Sequence, residues 1–172
     1  MEIRDAIEAD LPSLVSLYNE IIATSTAVFT ETAVSLDDRR AWWRERTRQG
    51  YPVLVATDES GVAGFATFGD FRSWPGYRFT VEHSVHVRVD LRGKGLGSSL
   101  VSALFPRAVA LRKHTMIAGI DAANEGSIRF HQRLGFEYAG RLRDVGCKFG
   151  RWLDLVFLQR KLDEASSPPR SG

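Results

Sequence analysis

Three groups of residues in this chain are of types, and at spacings, that can do chemistry. The first is Arg92-Gly93-Lys94-Gly95-Leu96-Gly97-Ser98, placed where the β-branched run Val85-His86-Val87-Arg88-Val89 gives way to an apolar-periodic segment. Such a turn leaves backbone N–H groups bare at a helix N-terminus, where the helix dipole favours negative charge. Glycine permits both the tight turn and the close approach of a ligand to the backbone. Arg92 and Lys94 add positive charge, so the segment reads as a phosphate cradle. A Walker-type loop needs its lysine after the last glycine and before Ser or Thr, whereas Lys94 lies between glycines. A dinucleotide fingerprint needs G-x-G-x-x-G on the first strand–helix unit. Here Gly93-x-Gly95-x-Gly97 is one residue short and sits in mid-chain.

The second group is Glu82, a carboxylate in the β-forming stretch Phe79 to Val89. Desolvation raises a carboxylate pKa toward the working range of a general base, provided the group faces a cleft rather than solvent. His83 points to the opposite side of the strand and His86 to the same side. No third ligand stands at a recognised metal spacing, so no metal site is expected. The third group is Asn124, Ser127 and His131 with Gly135-Phe136. His131 has two readings: a proton donor or water-orienting group near a leaving atom, and a buried histidine satisfied by one hydrogen bond. A loop from Gly69 to Arg78 supplies Phe71, Arg72 and Trp74. There Arg72 can clamp a carboxylate or phosphinate in two-point fashion, and the aromatics can wall an aliphatic side chain or pack against a second subunit.

Arg92-x-x-Gly95-x-Gly97, followed downstream by Asn124, Ser127, His131 and Gly135-Phe136, resembles the GNAT superfamily of N-acetyltransferases. The closer likeness is to the phosphinothricin and methionine sulfoximine acetyltransferases. It is carried by Thr80 to Val87, the Asn124 loop, His131 and Lys148 to Asp154, and runs roughly from Ile3 to Leu162. Most of the superfamily has tyrosine where this chain has His131, and the narrower group is similar to this chain in having histidine. The resemblance implies an α/β fold, with a mixed central sheet whose two central parallel strands splay apart, flanked by helices. It also implies acetyl-CoA as co-substrate, no metal, and a homodimer. By the same resemblance Val85, His86 and Val87 meet the pantetheine arm. Arg92, Gly93, Lys94, Gly95, Leu96, Gly97 and Ser98 hold the pyrophosphate, Asn124 holds the coenzyme near the splay, and Ser127 adds a hydrogen bond. Glu82 is the general base and His131 the second catalytic candidate. Phe29 and Thr30 resemble a further wall of the substrate site, beside Phe71, Arg72 and Trp74. The implied reaction is acetylation of the α-amino group of phosphinothricin, methionine sulfoximine or methionine sulfone by direct transfer. Acetylation of another amine, at a protein N-terminus or on a polyamine, is the enzymatic rival. A non-catalytic acyl-CoA sensor is the rival from outside enzymology.

The elements that must position these residues follow from periodicity. Ile3 to Ile7 reads as a strand, Asp10 as the cap of a helix with Leu11, Leu14, Val15, Tyr18, Ile21 and Ile22 on one side, and Ser35 as the cap of a second helix closed by Gly50. Val53 to Ala56 and Val62 to Phe68 flank the turn Asp58-Glu59-Ser60-Gly61. Gly95 to Arg112 reads as a helix that Pro106 kinks or interrupts, Ile128 to Leu134 as a short helix, and Tyr138 to Val145 and Trp152 to Lys161 as closing strands. At 172 residues and 44% hydrophobic the chain predicts one domain over residues 1–163, with a disordered tail over 164–172. A net charge of +2 argues against a nucleic-acid surface. No apolar run is long enough for a membrane span, and the lone Cys147 suits packing in a reducing cytoplasm.

Overall fold

The computed structural model describes residues 1–169, and the last three residues of the expected tail lie outside the described part. In chain order the elements are β1 (Ile3–Asp5), α1 (Leu11–Thr24), α2 (Leu36–Arg48), β2 (Val53–Asp58), β3 (Gly61–Asp70), β4 (Thr80–Val87), α3 (Leu96–Ala110), β5 (Thr115–Asp121), α4 (Glu125–Arg133), β6 (Glu137–Lys148) and β7 (Arg151–Lys161). Short 3-10 turns precede α1, β4 and α3. The seven strands form one sheet in the order β1-β2-β3-β4-β5-β7-β6, in which β4 and β5 are the parallel pair. Residues 164–169 carry no helix or strand.

Local chemistry explains most boundaries, and the structure differs from the sequence expectation at Asp10, Pro106 and Cys147. Ser35 caps α2 by accepting from the Asp38 N–H at 3.0 Å, and Gly50 follows the helix at φ +73. Asp10 stands at the N-cap of α1, yet its carboxylate is taken by the Arg4 guanidinium at 2.7 and 2.8 Å and by the Ile7 N–H. A two-point ion pair outcompetes the cap, and β1 is thereby tied to the start of α1. Pro106 is carried inside a continuous α3. Both it and Ser102, whose carbonyl loses its helical donor, face solvent, so water can serve the freed acceptor. Cys147 is exposed rather than packed.

Strand alternation sends side chains to two cores. Leu14, Leu17 and Ile21 of α1 pack with Val53, Val55 and Phe65 on one face. Leu100, Val101 and Leu104 of α3 pack with Phe68, Val81, Met116 and Leu158 on the other. The parallel pairing stops early: its register runs from Thr80 opposite Thr115 to His83 opposite Ala118, although β4 continues to Val87 and β5 to Asp121. The far side of β4 stays paired with β3 through Val87. Beyond His83 the sheet therefore opens into a wedge, and the edge of β4 that turns to β5 has no strand to bond.

Candidate active site

The wedge is lined by His83, Ser84, Val85 and His86 of β4, by Ala118 to Asp121 of β5, and by Ala27, Asn124, Ser127 and His131, and encloses about 80 Å³. Residues from four separate stretches of sequence meet here because the strands part at one register position.

Glu82 and His83 are consecutive and project to opposite faces of the sheet. Glu82 is half-buried on the α1 side, with one carboxylate oxygen 2.8 Å from where a Cβ on Gly119 would stand. Burial raises its pKa, and the Arg72 charge partly offsets that rise. His86 shares this face: its ring lies 5.5 Å from Tyr18 and 5.1 Å from Phe65. Burial, with the charges of Arg39 and Arg92, pushes its pKa down to about 4, so it is a neutral wall. His83 lies on the α3 side, ring to ring with His131 at 5.1 Å and Phe136 at 5.3 Å. Burial there pushes His83 down to about 3.

His131 is buried on α4, and its Nδ1 lies 2.7 Å from the Ser127 carbonyl oxygen. A carbonyl only accepts, so Nδ1 carries the proton and Nε2 of the neutral ring keeps a lone pair. Burial lowers the His131 pKa, with the Ser127 carbonyl opposing. The neutral ring is suited to accepting a hydrogen bond, and less suited to giving up a proton. Asn124 uses its side chain to cap α4 through the Ser127 N–H at 3.0 Å, which sets the helix against the wedge.

The cradle lies at the start of α3. Gly93 and Gly95 have φ of +74 and +86, and a Cβ on either meets nothing within 4 Å. Gly95 is the N-cap residue and no side chain caps the helix, so the first-turn N–H groups face open space. Arg92 and Lys94 are exposed beside it, with Arg92 Nε donating to the Val87 carbonyl at 3.2 Å. Leu96, Gly97 and Ser98 form the first turn itself, with the small Gly97 against Phe130.

The expected substrate-side residues divide. Arg72 stacks over Phe71 at 4.4 Å, and Phe71 packs edge-on against Phe157 of β7 at 5.9 Å. Phe157 pairs with Gly119, so this cluster borders Glu82. Trp74 is 74% exposed in the same loop, outside that cluster. Phe29 lies against Gly146 of β6, and Thr30 folds back on its own loop, accepting from the Thr32 N–H at 3.1 Å. Sequence reading missed Gly119, Asp121 and Ala27. An isolated glycine in a central strand was the available signal for the first; the other two carry none. Among the described residues no group of His, Cys, Asp or Glu is arranged to hold a metal ion.

A mixed sheet splayed at its parallel pair, with an anion cradle on one side and a half-buried carboxylate on the other, suits an enzyme that holds a phosphorylated ligand beside a proton acceptor. Sequence comparison agrees, since the profile described as Acetyltransferase (GNAT) family matches residues 14–136. The chain belongs to that family, and it is an acetyl-CoA-dependent N-acetyltransferase. It is 53% identical over 168 residues to the L-methionine sulfoximine/L-methionine sulfone acetyltransferase of Pseudomonas aeruginosa, covering 97% of this chain and 98% of the relative. It is 46% identical over 172 residues to the L-amino acid N-acyltransferase MnaT of Escherichia coli, covering both chains fully (100% and 100%). A solved GNAT superfamily phosphinothricin acetyltransferase from Sinorhizobium meliloti, in complex with acetyl-CoA, superposes with a TM-score of 0.92. That structure is 41% identical, and the match covers 98% of this chain and 93% of the other.

The cradle and wedge fit such a carrier: the open space before Gly93 and Gly95, the uncapped helix start and the unpaired β4 edge are what a pyrophosphate and an amide-bearing arm require. Gly95→Val is expected to weaken acetyl-CoA binding at least about tenfold and to cost ~1–2 kcal/mol of stability, because an L side chain is strained in the left-handed region. A calorimetric titration and a thermal melt check both; unaltered binding would remove the cradle from this role.

Proposed function

We propose that this protein acetylates the α-amino group of a small amino-acid-like compound, of the class of methionine sulfoximine, methionine sulfone and phosphinothricin, by direct transfer. The observation that carries this reading is the half-buried Glu82 carboxylate on the Gly119 side of the wedge, with Arg72 close enough for its charge to be felt there. Acetyl-CoA supplies an activated acetyl carbonyl with a thiolate leaving group.

The chain's residues divide the remaining work. The N–H groups of Leu96 to Ser98, with Arg92, Gly93, Lys94 and Gly95, hold the pyrophosphate. The free edge of β4 offers the backbone groups of Val85 and the Val87 N–H to the pantetheine arm, as an added strand would. His86 between them turns its backbone groups to β3, and Asn124 and Ser127 stand at the opposite wall. Glu82 removes a proton from the incoming ammonium, directly or through one water, and its raised pKa matches it to that task. Nε2 of His131 accepts a hydrogen bond from a water near the sulfur. Arg72 pairs with the carboxylate or phosphinate of the amine substrate, and Phe71 and Phe157 flank its aliphatic part. Phe29 and Thr30, in the loop after α1, are further candidates for the substrate wall, while Trp74, 74% exposed, is the weakest of the group.

The 71% exposed Trp152, with exposed Leu142 and Val145 on the β6–β7 hairpin, supports a homodimer through that edge. The lone cysteine supports a cytoplasmic setting. No helix among the described residues is long and apolar enough to cross a membrane.

Free-thiol release from acetyl-CoA, measured over methionine sulfoximine, methionine sulfone, phosphinothricin, methionine and a short peptide, tests this reading. Fast release with the sulfoximine, sulfone or phosphinothricin is expected. Release with the peptide alone overturns the substrate class, and acetyl-CoA binding with silence across the panel overturns catalysis.

A further inference from the structure

Lys148, at the end of β6, has no solvent exposure at all. Its Nζ donates to the carbonyl oxygens of Ser25 at 2.6 Å and Val28 at 2.8 Å, both in the loop between α1 and α2, and lies 4.9 Å above the Phe149 ring. Among the described residues no carboxylate lies within 4.0 Å of it, although the charge of Glu31 is felt at a distance. A buried ammonium held by neutral carbonyls is a costly way to fill space that an apolar side chain would fill. What the ammonium does provide is direction: it gathers two carbonyls of one loop.

A second tie holds the same loop from the opposite side. Thr26 Oγ1 donates to one carboxylate oxygen of Asp121, while the other accepts from the Ala123 N–H at 3.0 Å. Asp121 is buried at the end of β5 and lines the wedge. Between the two ties, Ala27 itself lines the wedge, and Phe29 is seated on Gly146, where any Cβ would collide with its ring. The loop is thus pinned at Ser25, Thr26 and Val28 by partners more than ninety positions away in sequence.

We propose that Lys148 and Asp121 are positioning residues, which together hold the Ser25–Thr30 loop as a fixed wall on the amine side of the wedge. The inference rests on the acetyl-transfer reading above and adds to it the device that shapes the acceptor site. The Lys148 tie touches none of the residues assigned to the coenzyme at β4, α3 and the start of α4. The Thr26 hydroxyl reaches only the Asp121 carboxylate, whose backbone carbonyl separately holds the Asn124 N–H. Cutting either tie at Lys148 or Thr26 therefore separates the two substrates.

Lys148→Met keeps an unbranched side chain one atom shorter and removes the donors, and Thr26→Val replaces only the hydroxyl by a methyl group. In steady-state kinetics with the best amine of the panel, Lys148→Met is expected to lower amine kcat/KM about tenfold or more, chiefly through KM, with the acetyl-CoA KM unchanged. Thr26→Val shifts the same constant in the same direction, and it carries the test if Lys148→Met does not fold. Hydrogen exchange is expected to quicken at the amides of Ser25 to Thr30 and to stay as in the parent at Leu96 to Ser99. Unchanged amine KM in both variants, or faster exchange spread evenly over the chain, overturns the proposal. A parent enzyme inactive on every amine, with the exchange contrast still present, overturns the substrate reading and leaves the tied loop standing.

Discussion

Glu82→Gln is expected to lower amine kcat/KM by about 10²- to 10⁴-fold at neutral pH while acetyl-CoA binds as before, the range that loss of a general base produces. Glutamine keeps the size of the side chain and a carbonyl-type acceptor but cannot take up a proton. The carboxylate lies on the α1 side of the sheet and the cradle at the start of α3, so the change does not reach the coenzyme's contacts. The pH dependence has a definite sign. The base works only when ionised, and burial raises its pKa, so activity falls as pH drops through a value above the ordinary glutamate range. Arg72 opposes that rise, so removing the Arg72 charge is expected to move the acid limb further up. Rate–pH profiles of parent and variant check both statements: an undiminished rate in Glu82→Gln, or an acid limb that survives it unaltered, removes Glu82 from the mechanism.

Gly119→Val is expected to cost amine turnover about a hundredfold or more by misplacing the base, with the fold and acetyl-CoA binding retained. The cause is geometric. A Cβ at Gly119 would stand 2.8 Å from a Glu82 carboxylate oxygen, 3.5 Å from Leu155 Cδ1 and 3.7 Å from Phe157 Cε1. The two apolar contacts are ordinary, and a β-branched residue suits a strand, so the backbone has no reason to move. The carboxylate is the free end of a flexible chain, so it yields, and the valine methyls stand where the amine would meet it. Kinetics paired with a coenzyme titration and a thermal melt separate this from unfolding. Turnover equal to that of the parent would mean that the amine does not approach over Gly119.

Much of the site was legible in the order of residues, for local reasons. Gly93 and Gly95 adopt the left-handed conformations that their spacing announced, Ser35 and Asn124 cap the helices they precede, and the alternation along β4 placed Glu82 with His86 and opposite His83. Each of these depends on backbone conformation within a few residues, which side-chain type governs directly. Local rules also misled where a distant partner was stronger. Arg4 captures the Asp10 carboxylate that helix capping alone would have used, and a solvent-facing carbonyl lets α3 run through Pro106.

By itself, then, the sequence determined the order of strands and helices, the glycine turn that opens α3 and the alternation that sets Glu82 and His83 on opposite faces, because each is written in spacing over one or two turns of chain. The fold family and the roles of the acid–base candidates came from likeness to a family. Only the tertiary structure decided where β4 and β5 part, at His83 opposite Ala118, and hence which residues face the opening. It also decided that Glu82 looks onto Gly119, that Trp74 stays in solvent, and that Lys148 and Asp121 grip the loop after α1. Those meetings join residues dozens of positions apart. They are set by strand register and by the packing of two helical layers on one sheet, in which a side chain's neighbours follow from the summed fit of the whole core and from no pattern near it in the chain.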